Sequence, residues 1–237
     1  MNIKSLLTFL LICILSSPVF SQKFLNPSFT FSHKHESYIT LKNGEKLTGT
    51  LDKLRRKKGL LESVVFVDTE NKTHKLSASD IAHMYLMPSG FDKFSAGMEF
   101  LSDATMWEDN DLEKDVIGKG YVYFEQSEVL VGKKKQVLLL QLLNPSYSNK
   151  IKVYHDPYAQ ETASAGVGGI TMVGGDAKSY YVSKGGKTAI RLKKKNYREL
   201  IPEFYGDCPD FVKKLGKTPR WSEFEKQVYD YSTSCSN

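Results

Sequence analysis

The sequence predicts an α+β fold that is mainly β, with a small β-barrel-like unit followed by an antiparallel sheet and short C-terminal helices. Short segments of alternating apolar and polar residues recur from residue 38 onward, separated by Asn-Gly and Gly-Gly turns. Residues 137–143 are apolar at all but one position, which is typical of a central strand covered on both faces. Helical periodicity begins only at residue 197. Strands therefore come first and helices last.

Residues 1–21 have the layout of a secretory signal peptide. Lys4 precedes an apolar run over residues 6–15, and small residues lead to a predicted cleavage between Ser21 and Gln22. This run is much shorter than the roughly 20 residues that span a bilayer. Since no later run approaches that length, we expect an exported protein, periplasmic or extracellular, with no transmembrane helix in the mature chain.

Charge and cysteine content set further expectations for the mature chain. Cleavage removes one Lys and no acidic residue, so the net charge falls from +6 to +5, too modest by itself to indicate nucleic-acid binding. Cys13 leaves with the signal peptide, and Cys208 and Cys235 are expected to form one disulfide, as is usual for a cysteine pair in an exported protein. The alternative is a reactive thiol at Cys208 near a helix start.

The first β unit is predicted over residues 37–90, after an irregular lead-in over residues 22–36. Its opening hairpin turns at Asn43-Gly44, because both residues tolerate the positive φ angles of a tight hairpin turn. Gly49 in the second strand indicates a bend or bulge. Further short strands continue to residue 87, which is enough for a small barrel or a strongly bent sheet.

An acidic connecting segment is predicted over residues 91–119, and the second unit covers residues 120–237. Residues 92–128 include ten acidic residues and three Lys, whereas residues 178–220 include twelve Lys or Arg and four acidic residues. The basic end is either a solvated face that balances the acidic segment or a patch for an anionic surface.

Three short helices are predicted at the C-terminus. Asn196 is a candidate N-cap for a helix over residues 197–205, and Gly206 ends it. A second helix precedes Gly216, and a third begins near Pro219. In the third, four apolar side chains share one stripe: Trp221, Phe224, Val228 and Tyr231.

No motif in the sequence predicts a catalytic residue, a metal site or a cofactor. His33 and His35 could begin a metal site, but no further ligands stand at a fitting spacing. The acidic residues within 103–115 do not match a calcium loop, and the Gly-rich residues 165–175 match no phosphate-binding loop. The sequence leaves an enzyme open and favours a non-enzymatic protein.

The best candidate binding surface combines adjacent cations with aromatic rings. Such a combination suits single-stranded nucleic acid, but export makes that partner unsuitable and favours an anionic glycan or a membrane surface. The alternative is that the lysines only end an exposed strand. The candidate residues are Lys193, Lys194, Lys195, Arg198, Tyr180 and Tyr197.

The hairpin over residues 39–51 resembles the first motif of Sm-like RNA-binding barrels, with its Leu-Lys-Asn-Gly turn and Gly-x-Leu strand. The resemblance ends at residues 52–57, which lack the family's Asp-x-x-Met-Asn-Leu pattern and its base-contacting Asn. Over most of its length the chain resembles the uncharacterised exported proteins of Bacteroidota. The shared features are the signal peptide, the hairpin, Asp80-Ile81, the strands over 137–142, 152–154 and 180–182, and the helix within 196–208. That resemblance implies compartment and architecture, and no activity.

Three functional hypotheses follow from these observations. The first is an exported, non-enzymatic protein that binds an envelope component or a protein partner. The second is a cell-envelope hydrolase with a site between sheet and helices. The third, an RNA-binding Sm-like barrel, requires the cytosol and conflicts with the signal peptide.

Overall fold

The computed structural model describes residues 24–90, 112–159 and 179–235. Its ten strands belong to one sheet; one short α-helix lies between the fifth and sixth strands, and the other described α-helices follow the last strand. The predicted α+β class with mainly β structure is confirmed. The described strands form no closed barrel, because the edge of the fifth strand pairs with the sixth instead of closing on the fourth.

The first five strands form what we call the curled half of the sheet. They are β1 (Glu36–Leu41), β2 (Lys46–Lys57), β3 (Leu60–Asp68), β4 (Thr73–Ser77) and β5 (Ile81–Leu86). Their order across the sheet is β4-β3-β2-β1-β5. Val64 and Phe66 of β3 share a buried cluster with Leu139 of the seventh strand, so this half folds over part of the second half.

The turn between β1 and β2 forms as the Asn-Gly pair predicts. Gly44 has a φ of 87°, and the Asn43 side chain accepts a hydrogen bond of 2.9 Å from the Glu45 N–H. This turn sets the register that pairs Ile39 with Leu47, and both of those side chains are buried.

Gly49 marks a close backbone approach and not the bulge itself. A Cβ at Gly49 would lie 2.0 Å from the Val67 carbonyl oxygen, so no side chain fits there. The register shifts follow in the same strand, between Leu51 and Lys53 and between Arg55 and Arg56. Bulges increase local twist, so the sheet bends at these positions.

The remaining strands assemble around β6. They are β6 (Val122–Val131), β7 (Lys134–Gln141), β8 (Ile151–His155), β9 (Ser179–Lys184) and β10 (Ala189–Lys193). Residues 124–125 pair with both β5 and β7, and residues 129–130 pair with both β10 and β7. Therefore β5 and β10 follow one another along one edge of β6, while β7 occupies the other edge. The β6–β10 pair is parallel, and the other described strand pairs are antiparallel.

The β7 prediction is only half correct. Leu139, Leu140, Leu142 and Leu143 are buried, but Val137 is 58% exposed. The β6–β7 hairpin extends past the core at its turn, so the first part of β7 is not covered on both faces.

One short helix precedes β6, and the helices after β10 pack over the second half of the sheet. The helices are α1 (Lys114–Gly118), α2 (Tyr197–Tyr205), α3 (Pro209–Leu215), α4 (Phe224–Ser234) and the 3-10 turns Pro145–Tyr147 and Trp221–Glu223. Phe224, Val228 and Tyr231 of α4 are buried against the sheet, as their stripe predicts. Cys208 and Cys235 form the predicted disulfide, with a Cα–Cα distance of 6.0 Å. It joins the start of α3 to the end of α4.

The predicted irregular lead-in has a structural role that its sequence does not reveal. Residues 24–31, which we call the N-terminal strap, run across the molecule. Phe24 packs in the cluster beneath the C-terminal helices, Leu25 in a tyrosine-rich cluster, and Phe31 in the core of the curled half. The Leu25 N–H donates a 2.7 Å hydrogen bond to the Leu143 carbonyl. The strap thus contributes to all three clusters.

Within the residues that the structure describes, no helix has both the length and the apolar character needed to cross a membrane.

Candidate functional site

A groove with a volume of about 440 Å³ lies where the end of β10 meets the C-terminal helices. One wall is the turn from β10 into α2, and the other is the 3-10 turn before α4. We call it the basic groove. Its lining residues are Lys194, Lys195, Tyr197, Arg198, Pro219, Arg220, Trp221 and Ser222.

Asn196 shapes the first wall. It stands at the N-cap position of α2 as predicted, but its side chain makes no capping hydrogen bond to the helix. Its Oδ1 accepts a 2.7 Å hydrogen bond from the Lys193 N–H, and its Nδ2 donates to the Arg191 carbonyl at 3.0 Å. Because these bonds close the turn onto the strand end, Lys194 and Lys195 project from a fixed loop.

Aromatic rings support the groove from below. The Trp221 ring stacks on Phe224, with centroids 5.6 Å apart and planes 2° from parallel, and Tyr197 meets it edge-on at 5.7 Å. Tyr197 is buried, and this burial raises the pKa of its hydroxyl, so that the group stays neutral. Trp221 remains partly exposed and offers an apolar surface between the cations.

Gln227 of α4 connects the two walls. The Tyr197 hydroxyl donates a hydrogen bond to Gln227 Oε1, and Gln227 Nε2 donates to the Arg220 carbonyl at 3.4 Å. Gln227 is buried, so its amide is shielded from competing water. We infer that Gln227 sets the spacing of the walls.

Positive charge dominates the groove. Lys194, Lys195 and Arg198 are exposed, and none of them makes an ion pair with another described residue. Arg220 pairs with Glu223 at the rim. Among the described residues, the lining itself includes no Asp or Glu.

The structure separates the six candidate binding residues into two groups. Lys194, Lys195, Tyr197 and Arg198 line the groove. Lys193 lies just beside it as the last residue of β10, and it is partly exposed. The sixth residue, Tyr180, is buried on β9 behind the aromatic floor.

Tyr180 supports the floor and does not line the groove. Its ring lies 5.9 Å from that of Trp221 and 5.5 Å from that of Phe224. It is 6% exposed, so it supports the indole and offers almost no surface to a ligand.

Sequence reasoning missed the second wall. Arg220, Trp221 and Gln227 join the site only through the folding of α4 back onto α2. The Arg-Trp pair within the basic end of the chain was the available signal, since cations beside an exposed aromatic ring recur at binding surfaces.

The other candidate chemistry falls elsewhere or outside the described residues. His33 forms a hydrogen bond with the Leu51 carbonyl, and His35 forms one with the Ser32 hydroxyl, each at 2.8 Å. The described residues contain no group of three or more His, Cys, Asp or Glu that could hold a metal ion. The cleavage residues Ser21 and Gln22, the Gly-rich residues 165–175 and most of the acidic residues within 103–115 lie outside the described ranges.

A second, far smaller cavity lies where the tip of the β2–β3 hairpin meets the end of β8, with a volume of about 10 Å³. This is room for about one water molecule. Arg56 and His155 line it. Arg56 donates to the carbonyls of Ser28 and Gly59 at 3.4 and 3.5 Å, and burial lowers its pKa to about 10. This cavity is a packing feature beside a half-buried cation.

No family model, curated protein or solved structure matches the chain. Function therefore has to be argued from the groove.

Proposed function

We propose that this is an exported, non-enzymatic protein of the periplasm or cell exterior whose basic groove binds an anionic component of the cell envelope. One observation carries the proposal: Lys194, Lys195, Arg198 and Arg220 converge on a single concavity above an aromatic floor. That arrangement combines charge attraction with a flat apolar surface on which a sugar ring can rest.

The energetics favour a ligand with several negative charges. An exposed ion pair contributes only about 0.2–1 kcal/mol, so one carboxylate or phosphate on one lysine binds weakly. Three cations without an ion-pair partner among the described residues act together around one groove, beside Arg220 with its Glu223 partner, and their combined field also raises the rate of encounter with an anion. A polysaccharide that carries repeated carboxylates or phosphates meets this requirement.

Export is part of the proposal and rests on two features. The first residues have the layout of a signal peptide. The Cys208–Cys235 disulfide fits an oxidising compartment, because cytosolic thiols are normally kept reduced.

Binding explains the groove better than hydrolysis does. The groove lies between the sheet and the helices, where the hydrolase hypothesis places a site. Hydrolysis by side chains needs a general acid or base, or an activated nucleophile, within hydrogen-bonding reach of the substrate. Among the described lining residues, none is a His, Asp, Glu or Cys, and Ser222 has no such partner in the lining.

The test is retention of the protein, without its signal peptide, on immobilised heparin as a polyanion and on dextran as a neutral polysaccharide. We expect retention on heparin only. The double variant Lys195→Glu/Arg198→Glu should bind at least about tenfold more weakly, because two attractions become repulsions.

The matched control is Lys53→Glu/Arg55→Glu, which makes the same charge change at exposed positions of β2. It should keep most of the affinity. Equal losses in the two double variants would show that only net charge matters, and a wild-type protein that passes through the heparin column would contradict the proposal.

A further inference from the structure

The parallel pair of strands next to the groove brings a second basic turn to the same end of the sheet. Ala189 pairs with Val129 and Ile190 with Leu130. One residue earlier, the Thr188 hydroxyl donates a hydrogen bond to Glu128, which extends the same register. Because β6 and β10 run in the same direction, their carboxyl ends lie at one edge of the sheet.

Each of these two strands ends in a run of three lysines. Lys133, Lys134 and Lys135 follow β6, and Lys193, Lys194 and Lys195 end or follow β10. Both strands end within three residues of their last paired positions, β6 at Val131 and β10 at Lys193, so the turns that follow them leave the sheet at the same edge. The two lysine turns are therefore neighbours, although 60 residues separate them in the chain.

The second turn is as accessible as the first. Lys133, Lys134 and Lys135 are all exposed. Lys135 pairs with Glu128 at 2.8 Å, and Lys133 and Lys134 make no ion pair with any described residue. Free cations thus continue from the groove onto the β6–β7 turn.

We infer that the basic groove and the β6–β7 turn form one extended binding face for a linear anionic polysaccharide. This rests on the proposed function and specifies its ligand. A single acidic sugar would occupy the groove without reaching Lys133 or Lys134. A chain with an acidic group on successive units can contact the groove and the turn at once, which adds ion pairs along its length.

The surface fits a polysaccharide better than a membrane. Trp221 is only partly exposed, and Tyr197 and Phe224 beneath it are buried, so the groove offers little apolar surface to a bilayer. Shallow membrane insertion uses several exposed apolar side chains, and among the described residues Val137 is the only large hydrophobic residue that is exposed.

Calorimetric titration can test this with galacturonic acid, long oligogalacturonides and vesicles rich in anionic phosphatidylglycerol. The variant Lys133→Ala/Lys134→Ala removes the second turn, and Lys72→Ala/Lys75→Ala removes two exposed lysines at the far β4 edge as the matched control. We expect the first variant to bind the long chains about three- to tenfold more weakly, and with a shallower salt dependence. Binding of the monomer should stay unchanged, and the control should behave like the wild type.

The outcomes separate the two proposals. If the long chains bind equally well to both variants and to the wild type, the extended face is wrong and the groove alone suffices. If neither uronate form binds the wild-type protein, the proposed polysaccharide ligand fails together with the extended face. Stronger binding to the vesicles than to the long chains would overturn the choice of a polysaccharide in favour of a membrane.

Discussion

Two basic runs of the chain have similar composition, but only the second brings its cations together in a groove. Residues 53–58 hold five cations in six positions, and residues 193–198 hold four. The first run is mostly strand, where successive side chains point to opposite faces. Arg56 turns inward toward Ser28, and Lys57 approaches Glu62 at 3.9 Å.

The second run leaves a strand, forms a turn and starts a helix. That path lets Lys194, Lys195 and Arg198 line the same groove, and the segment just before the 3-10 turn that leads into α4 adds Arg220 from the opposite side. The run with more cations, residues 53–58, therefore forms no basic groove in the described part of the chain, whereas the run with fewer, residues 193–198, does. Backbone conformation, more than the number of cations, decides whether basic residues form a site.

The largest expected effect comes from the same charge reversal made in each run. Arg56→Glu would place a carboxylate against the Ser28 and Gly59 carbonyl oxygens, and we expect the free energy of unfolding to fall by about 3 kcal/mol or more. Arg198 is exposed, so Arg198→Glu should change the free energy of unfolding by less than about 0.5 kcal/mol. Urea unfolding measures the stability of both variants. Equal unfolding midpoints would show that Arg56 is no more important for stability than the exposed Arg198.

The interior around the first run should also be sensitive to pH. Burial, together with the charge of Arg56, lowers the pKa of His155 to about 4 from its ordinary 6.5. As the pH falls below 6.5 the unfolded chain takes up a proton that the folded chain resists, so this contribution to stability is present above 6.5 and is lost toward pH 4. We expect a loss of about 3 kcal/mol at pH 4 relative to His155→Gln, measured by urea unfolding across this range. Parallel pH profiles of the two proteins would show that His155 titrates normally.

The smallest expected difference, about 1 kcal/mol between two glycine substitutions, concerns how the first run is held against the sheet. Gly59 has a φ of 82°, and a Cβ there would lie 2.3 Å from the Pro157 carbonyl oxygen. Gly44 has a similar φ of 87° but open space around it. Gly59→Ala should lower the free energy of unfolding by about 2 kcal/mol and Gly44→Ala by about 1 kcal/mol. Both substitutions place a Cβ on a left-handed backbone, and only the Cβ at residue 59 also clashes with a neighbouring carbonyl oxygen. Equal thermal midpoints would mean that the hairpin tip can move away from Pro157.

Local signals located the elements well. Asn43-Gly44 predicted the first turn, and the helix predicted over residues 197–205 is found as Tyr197–Tyr205. Pro202 lies inside that helix without ending it, and the Pro202 carbonyl accepts a hydrogen bond from the Gly206 N–H. Turn chemistry and capping act over a few residues, so one sequence carries enough information for them.

Long-range pairing could not be predicted in the same way. The sequence located one wall of the groove, but Arg220 and Trp221 reach it through the packing of α4 and the hydrogen bonds of Gln227. The parallel pairing of β6 with β10, which brings two lysine turns together, likewise joins strands about 60 residues apart. Val137 was expected in the core because apolar composition alone does not show where a hairpin extends past its sheet.

The N-terminal strap has a consequence for the order of events when the chain is made. The Phe24 N–H donates a hydrogen bond to Glu225 Oε2 of α4, across 201 residues of sequence. Phe24 therefore cannot complete its packing until the last helix has been made, and contacts of such high sequence separation slow folding. We expect the strap to complete its packing at Phe24 only after synthesis is finished, an order of events compatible with the proposed export.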